Sequence, residues 1–412
     1  MSEGSESRNQ RMIVRAKFVV TMTGAPIDNG ALAISGERIS AVGKFSDLRK
    51  KHAHEEIVDL GERAVLPGLI NAHCHLDYTC LRGSIPPRES FTDWIRAINA
   101  AKAQLTMEDY VRSIDDGFAE AKRFGTTTIV NLTAFPEVLS RVQPPIRTWW
   151  FPELIDVRER ITAENLNAQC IQVSERAKHW GLAPHAPFTA SSDLYRTCET
   201  IAERENILLT THLAESKEEM AMFREAKGAL YGFLKGIGRD MTDCGNVTPI
   251  EAVLRRIGSA NRPYLFAHLN EISEHDFDRL KKSASAASIA HCPRSRRYFD
   301  HSPFQFERLR ELGMNVCLGT DSLASNEDLS LFAEMRAFQT EFPDVSAESI
   351  LGMVTRNPAG SLGQTDALGK IAPGFFADLI AVPATSSATI FDEIIAFEAA
   401  VGWLMIGGRV LA

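Results

Sequence analysis

The sequence predicts an α/β protein, a (β/α)8 TIM-like barrel carrying a small β-sandwich built from both chain ends. Three observations lead there. Between residues 67 and 363, eight short apolar runs alternate with long, charged, amphipathic stretches, the rhythm of parallel strands each followed by a helix. Residues 12–66 and the tail have a different texture, short β-type runs broken by turn residues. The competing architecture, a doubly wound sheet, wants a glycine-rich phosphate loop after its first strand, and none is visible. A chain of 412 residues suits one large domain and a smaller one. We place the barrel at 67–363 and the sandwich at 12–66 plus 364–412.

The N-terminal strands are read at Met12–Val20, Ala31–Ile39 and Ala41–Val42. The eight barrel strands follow at Pro67–Ala72, Thr126–Val130, Thr148–Leu154, Gly181–Ala183, Ile207–Thr211, Pro263–Ala267, Ala287–Ala290 and Asn315–Leu318. Helical stretches are clearest at Met107–Phe124, Ser191–Glu205, Pro249–Ile257 and Phe304–Leu312. Residues 216–250 make a long segment after the fifth strand, rich in Met, Phe, Tyr and Gly, with two readings, a lid or an extra helix pair. In the tail, GKIAPGFFADLIAV and WLMIGGRVL are expected to pair with the N-terminal strands.

Hydrophobic content of 44% and charged content of 24% are those of an ordinary soluble globular protein. The net charge of −8 is spread without a basic block, which argues against nucleic acid as a partner. The first residues, MSEGSESRNQRM, are polar with no apolar stretch behind them, so no signal peptide is read. No run reaches the roughly 18 apolar residues of a membrane span. Seven scattered cysteines without a CxxC pair do not make a disulfide framework. A cytoplasmic protein acting on a small molecule is expected, with a homodimer as the expected assembly.

The sharpest local signal is Pro67-Gly68-Leu69-Ile70-Asn71-Ala72-His73-Cys74-His75. Residues i and i+2 of a strand share a face, so His73 and His75 both project inward from the first strand's end, and Cys74 points away. Alone, such a pair is most often packing. Its context is different, because a barrel collects its functional residues at the C-terminal strand ends. His185 ends the fourth strand, His212 the fifth, His268 the sixth and His291 the seventh, while Asp321 closes the eighth in Gly319-Thr320-Asp321-Ser322. Six of eleven histidines thus fall at strand ends. Chance does not arrange that.

In these motifs the chain resembles the amidohydrolase superfamily, in its branch of nucleoside and cyclic-amidine deaminases and chlorohydrolases. The resemblance runs from PGLINAHCH through HLAE and GTDS to APGFFADLIAV. It implies His73, His75, His212 and Asp321 as ligands of a divalent metal, zinc first, with iron, manganese or nickel also suited to imidazole and carboxylate. It implies Glu215 as the acid that protonates the substrate ring, and His268 with Asp321 as the pair handling the attacking water. His185 and Ser325 match substrate contacts, and the segment holding Arg82, Phe91 and Trp94 matches a pocket wall. Binuclear relatives carry a Lys or Glu at the end of strand four. Here that position reads Leu182-Ala183-Pro184-His185, so one metal is expected.

The expected chemistry is hydrolytic: water made nucleophilic by the ion attacks an amidine carbon and ammonia leaves. Deaminases of adenosine type have an acid directly after the Phe; here Thr92 stands there and Asp93 follows. The segment AHCPRSRRYFDH resembles the HCPRS-x-x-YF-x-H stretch of the aminodeoxyfutalosine deaminases of menaquinone biosynthesis. That favours an adenine nucleoside bearing a carboxylate, with Arg294, or Arg296 or Arg297, as the clamp for it. S-adenosylhomocysteine or methylthioadenosine, guanine or pterin deamination, and triazine dechlorination are the alternatives. A non-catalytic scaffold would be expected to lose ligands, and none is lost. The HxE with PCxxC signature of the zinc cytidine deaminases is absent.

Overall fold

The structure, a computed structural model, describes residues 11–257, 263–283 and 287–411. The polar stretch at residues 1–10, read above as no signal peptide, lies outside the described residues, as does Ala412. The strands in chain order begin with Arg11–Val19 (β1), Ile27–Ser35 (β2), Arg38–Lys44 (β3), Glu56–Asp59 (β4) and Arg63–Pro67 (β5). Next come Leu69–Cys74 (β6), Thr126–Thr133 (β7), Arg147–Leu154 (β8), His179–Pro184 (β9), Leu208–Leu213 (β10), Tyr264–His268 (β11), Ala287–His291 (β12) and Asn315–Leu318 (β13). The tail adds Leu379–Pro383 (β14), Leu404–Ile406 (β15) and Arg409–Val410 (β16). The chain folds as two compact units, one of residues up to 71, 119–129 and from 330 onward, the other of residues 72–118 and 130–329.

In the first unit both chain ends share one eight-stranded sheet, ordered β16-β15-β14-β5-β1-β2-β3 with β4 beside β1. The join between the ends is the antiparallel pairing of β14 with β5, Leu379 opposite Pro67 through Pro383 opposite Arg63. Alternation along β1 fixes its faces. Met12, Val14 and Ala16 pack with Leu379, Ala381 and Trp403, while Ile13 turns to Ala31, Ala33 and Leu48.

The eight strands β6 to β13 form a second, parallel sheet in chain order, closed into a barrel by the parallel bridge between Cys74 and Asp321. β6 and β7 are buried along their whole length, as strands covered on both faces must be. Helices lie between the strands. Ser192–Glu205, for example, starts on the Ser191 cap, whose hydroxyl accepts from the Leu194 N–H at 3.1 Å, and stops at Asn206 with φ 52°. Every barrel strand read from the sequence is present, displaced by at most a few residues.

The long segment after β10 is a helix pair, Lys217–Glu225 and Ala229–Gly236. Met222, Phe223, Leu230 and Leu234 pack there with Phe91 and Phe188. Among the described residues no helix is long and apolar enough to cross a membrane.

Candidate active site

The site grows from the closure of the barrel. The N–H groups of Thr320 and Asp321 both donate to the His73 carbonyl at 3.1 Å. This crossing admits only glycine at position 319, where a Cβ would sit 2.7 Å from the same oxygen. The first and last strands are therefore locked through the residues whose side chains make the centre. Three of these strand ends carry four non-glycine residues in the left-handed region, Ala214 at φ 50°, His268 at 75°, Leu269 at 50° and Asp321 at 57°. Such conformations cost of order 1 kcal/mol or more each and cluster where side chains must be aimed.

Four donors converge. His75 Nε2 lies 3.2 Å from His212 Nε2, and Asp321 Oδ1 lies 3.7 Å from Nε2 of both His73 and His75. Ligands about 2.1 Å from one tetrahedral ion are about 3.4 Å apart, so these three pairs have the spacing of neighbouring ligands on a cation, with His73, His75 and Asp321 forming one convergent group. The imidazoles are in the right form. His212 Nδ1 faces the His185 carbonyl at 2.9 Å, which takes the N–H and leaves Nε2 with a bare lone pair. Burial, helped by the neighbouring imidazoles, holds His75 well below its ordinary value and brings His212 to about 4. Burial works against ionisation of Asp321, but His73, His268 and His75 pull its carboxyl well below the usual range. Neutral imidazoles at His75 and His212 beside one carboxylate suit a divalent cation.

A second group adjoins it: one carboxylate or imidazole atom from each of Glu215, His268 and Asp321 lies within 4.8 Å of the others. His268 Nε2 is 3.8 Å from Glu215 Oε1, is buried, and has no hydrogen-bond partner. Burial raises Glu215 well above the carboxylate range, with Asp321 and Glu219 adding to it. Its backbone is pinned on both sides, the N–H by Glu219 Oε2 at 2.7 Å and the carbonyl by Asn270 Nδ2 at 3.0 Å. A neutral acid, a neutral imidazole and an ionised carboxylate thus stand side by side, the division of protonation that general acid–base chemistry needs.

These groups open into a cavity of about 410 Å³. One wall is apolar, with Phe91, Trp94, Ile95, Ile98, Leu154 and Phe188. The segment AHCPRSRRYFDH backs that wall, since Phe299 packs edge-on to Trp94 at 4.8 Å and to Phe91 at 5.4 Å. Its His291 stacks on Phe304 with centroids 3.8 Å apart.

Of the substrate contacts expected from sequence, His185 and Trp94 line this cavity. Arg82, Arg294 and Ser325 line a different one, of about 620 Å³. Arg294 is bound by Asp328 at 2.6 Å and Glu327 at 3.0 Å, Arg296 donates to the His301 carbonyl at 3.2 Å, and Arg297 is exposed. Ser325 faces inward to Asp321 Oδ2 at 3.3 Å. Thr92 is buried with its N–H on Glu218 at 3.2 Å, and Asp93 pairs with Arg96 at the surface.

Sequence reasoning missed three groups. Glu153, at the end of β8, faces His75 Nδ1 at 3.7 Å and His185 Nε2 at 3.8 Å, and burial, opposed by Lys102, lifts it to about 8. Its signal was available, an acid at the end of a strand already recognised. Ser295 and Lys102 carried none that distinguishes them from surface residues of a helix.

The sequence pattern of the amidohydrolase family matches residues 64–411, and a shorter pattern, the imidazolonepropionase-like composite domain of bacteria, matches 30–54. The 5-methylthioadenosine/S-adenosylhomocysteine deaminase of Pyrococcus furiosus is 27% identical over 391 residues, spanning 90% of this chain and 84% of that protein. The protein of the same name from Syntrophobacter fumaroxidans is 32% identical over 378 residues, 87% of this chain and 81% of its own. Among solved structures, Helicobacter pylori aminofutalosine deaminase in complex with methylthio-coformycin superposes with a TM-score of 0.86 at 22% identity, over 97% of this chain and 100% of that one. The chain belongs to the amidohydrolase family and is a metal-dependent hydrolase acting on C–N bonds.

Proposed function

We propose that this protein hydrolytically deaminates an adenine-type nucleoside, and that the nucleoside is 6-amino-6-deoxyfutalosine. One observation carries the deaminase reading, the apposition of buried Glu215, His268 and Asp321 beside a four-donor metal site in a single cavity. His73, His75, His212 and Asp321 would hold one divalent ion, with zinc the first candidate. That ion supplies Lewis acidity, making a water nucleophilic near neutral pH.

The residues do the rest. Asp321 and His268 take the proton of the attacking water and aim its oxygen at the amino-bearing ring carbon. Glu215, kept protonated by burial, gives its proton to the adjacent ring nitrogen as the carbon becomes tetrahedral. Collapse breaks the C–N bond, the amino group leaves as ammonia with a returned proton, and the ring keeps the oxygen. His185 and the Phe91–Trp94 wall hold the ring, the two aromatic rings being nearly parallel at 13°.

The choice of aminodeoxyfutalosine rests on the AHCPRSRRYFDH segment and on the resemblance in fold to the Helicobacter pylori enzyme. A second reading, deamination of 5-methylthioadenosine or S-adenosylhomocysteine, is favoured by the names of the sequence relatives. Ammonia release, measured across aminodeoxyfutalosine, these two compounds, adenosine, guanine and a pterin, separates the readings. The proposal expects the highest kcat/KM on aminodeoxyfutalosine. Release from guanine or pterin alone would refute it.

A further inference from the structure

We propose that Lys102 reads an anionic group, a carboxylate, on the part of the substrate remote from the reacting ring. The inference rests on the deaminase reading and names the residue that selects among its substrates.

Helical geometry puts Lys102 in the cavity. The helix Phe91–Lys102 begins on the Ser90 cap. Its residues Phe91, Trp94, Ile95 and Ile98 share one face at helical spacing, and that face lines the cavity. Lys102 is the next position on the same face and lines the cavity too. The apolar wall therefore ends in an ammonium group.

That ammonium has an aromatic ring beside it and no hydrogen-bonding acceptor. It sits 4.6 Å from the centroid of Tyr78, whose ring in turn stacks on the ligand His75 at 5.9 Å. Among the described residues it makes no hydrogen bond and no ion pair. Two buried acids, Asp77 and Glu153, act on it electrostatically without pairing directly: Asp77 Oδ2 accepts from Thr133 Oγ1 at 3.0 Å and Ala134 N–H at 2.9 Å, and Glu153 faces His75 and His185. Gln169 lines the same cavity, and its Oε1 is buried without a hydrogen-bond partner. A lysine that merely complements a helix C-terminus would stretch into solvent. This one lies over a ring, inside the cavity that holds the metal ligands and one ring layer from the nearest of them. The arginines after β12 offer no such vacancy in this cavity, Arg294 being held by two acids. A half-buried ammonium that feels buried acids but makes no direct hydrogen bond or ion pair favours a ligand that brings an anionic acceptor into contact.

The test compares the metal-loaded wild-type enzyme with Lys102→Met and Lys102→Arg, using 6-amino-6-deoxyfutalosine and its methyl ester. A hydrogen bond to a charged group predicts a wild-type preference for the acid of about 10- to 100-fold in kcat/KM. In Lys102→Met the acid-to-ester ratio should fall towards one, chiefly through KM, and Lys102→Arg should restore part of it. An unchanged ratio in Lys102→Met overturns the proposal. Calorimetric binding of benzoate and benzamide to the same proteins tests the lysine without turnover. Benzoate should bind about tenfold or more weakly to Lys102→Met with benzamide little changed, and equal loss or no loss of both overturns the assignment. If neither nucleoside yields ammonia, the deaminase reading has failed, and the benzoate result alone then judges Lys102. Should Lys102→Met melt far below wild type, Lys102→Gln replaces it in both assays.

Discussion

Ser295 donates a 2.6 Å hydrogen bond to Asp321 Oδ2, which leaves Oδ1 of the same carboxylate facing His73 and His75. The serine stands in the first turns of Pro293–Tyr298 and is itself within 3.2 Å of Ser325. Two hydroxyls thus hold Oδ2 and leave Oδ1 as the oxygen that would face a metal. Supports of this kind are typically worth about 10- to 100-fold in metal affinity or activity. Ser295→Ala should therefore lose roughly tenfold or more in metal affinity by chelator competition, and a variant with wild-type affinity and kcat would show the contact to be packing only.

Glu215→Gln should retain its metal and its melting temperature while kcat falls by about 10²–10⁴, the usual worth of a general acid. Glu215 is in no convergent set with His73, His75 and His212, so its loss removes a proton path and not the ion. Steady-state ammonia release and elemental analysis on one preparation check this. A variant keeping more than about a tenth of wild-type kcat contradicts the role.

Much of this was legible in the sequence, because the barrel states its function at regular intervals. The i, i+2 spacing of His73 and His75 needs only strand geometry to bring them together, and an apolar run ending in His212 or Asp321 marks a strand end by itself. The rest depends on where helices fall after those strands. Arg294 looked like a clamp because charge is visible in sequence, whereas its partners Glu327 and Asp328 lie more than thirty positions on. Lys102 gives no signal for the converse reason, since nothing local tells that its helix face covers a cavity. Glu153 was legible and overlooked.

Stability should fall as pH rises, through Glu219. Burial lifts this carboxyl from 4.5 to about 8, against the backbone N–H groups of Glu215, Ala214 and Ser216 that would lower it. Its proton is held more tightly folded than unfolded, so the contribution is fully present below the ordinary value and is lost as pH climbs through about 8. The melting temperature of the wild type should decline between about pH 5 and pH 8, and Glu219→Gln should flatten that slope. Parallel slopes for the two proteins would exclude Glu219 as the source.

Asp243 ties the helix pair after β10 to the barrel by holding two arginines. Arg239 binds both its oxygens, at 2.7 and 2.9 Å, and Arg256 binds Oδ2 while donating to the Pro187 and Ala190 carbonyls at 2.9 and 3.0 Å. The arginine side chains are only 8% and 4% exposed, so removing the acid strands buried charge. Asp243→Ala should cost about 3 kcal/mol in urea unfolding. A loss below about 0.5 kcal/mol, the scale of a surface pair, would mean that water reaches both guanidinium groups.

The most direct test of the account is the metal content of the purified protein and of His212→Ala, measured by elemental analysis beside activity. His73, His75 and Asp321 converge as one group, His212 joins His75 at 3.2 Å, and the end of the fourth barrel strand carries no Lys or Glu. One divalent ion per active wild-type chain, with loss of both ion and ammonia release in His212→Ala, is the predicted result. Two ions per chain, an active wild type free of metal, or a variant that keeps its ion at full strength would contradict it.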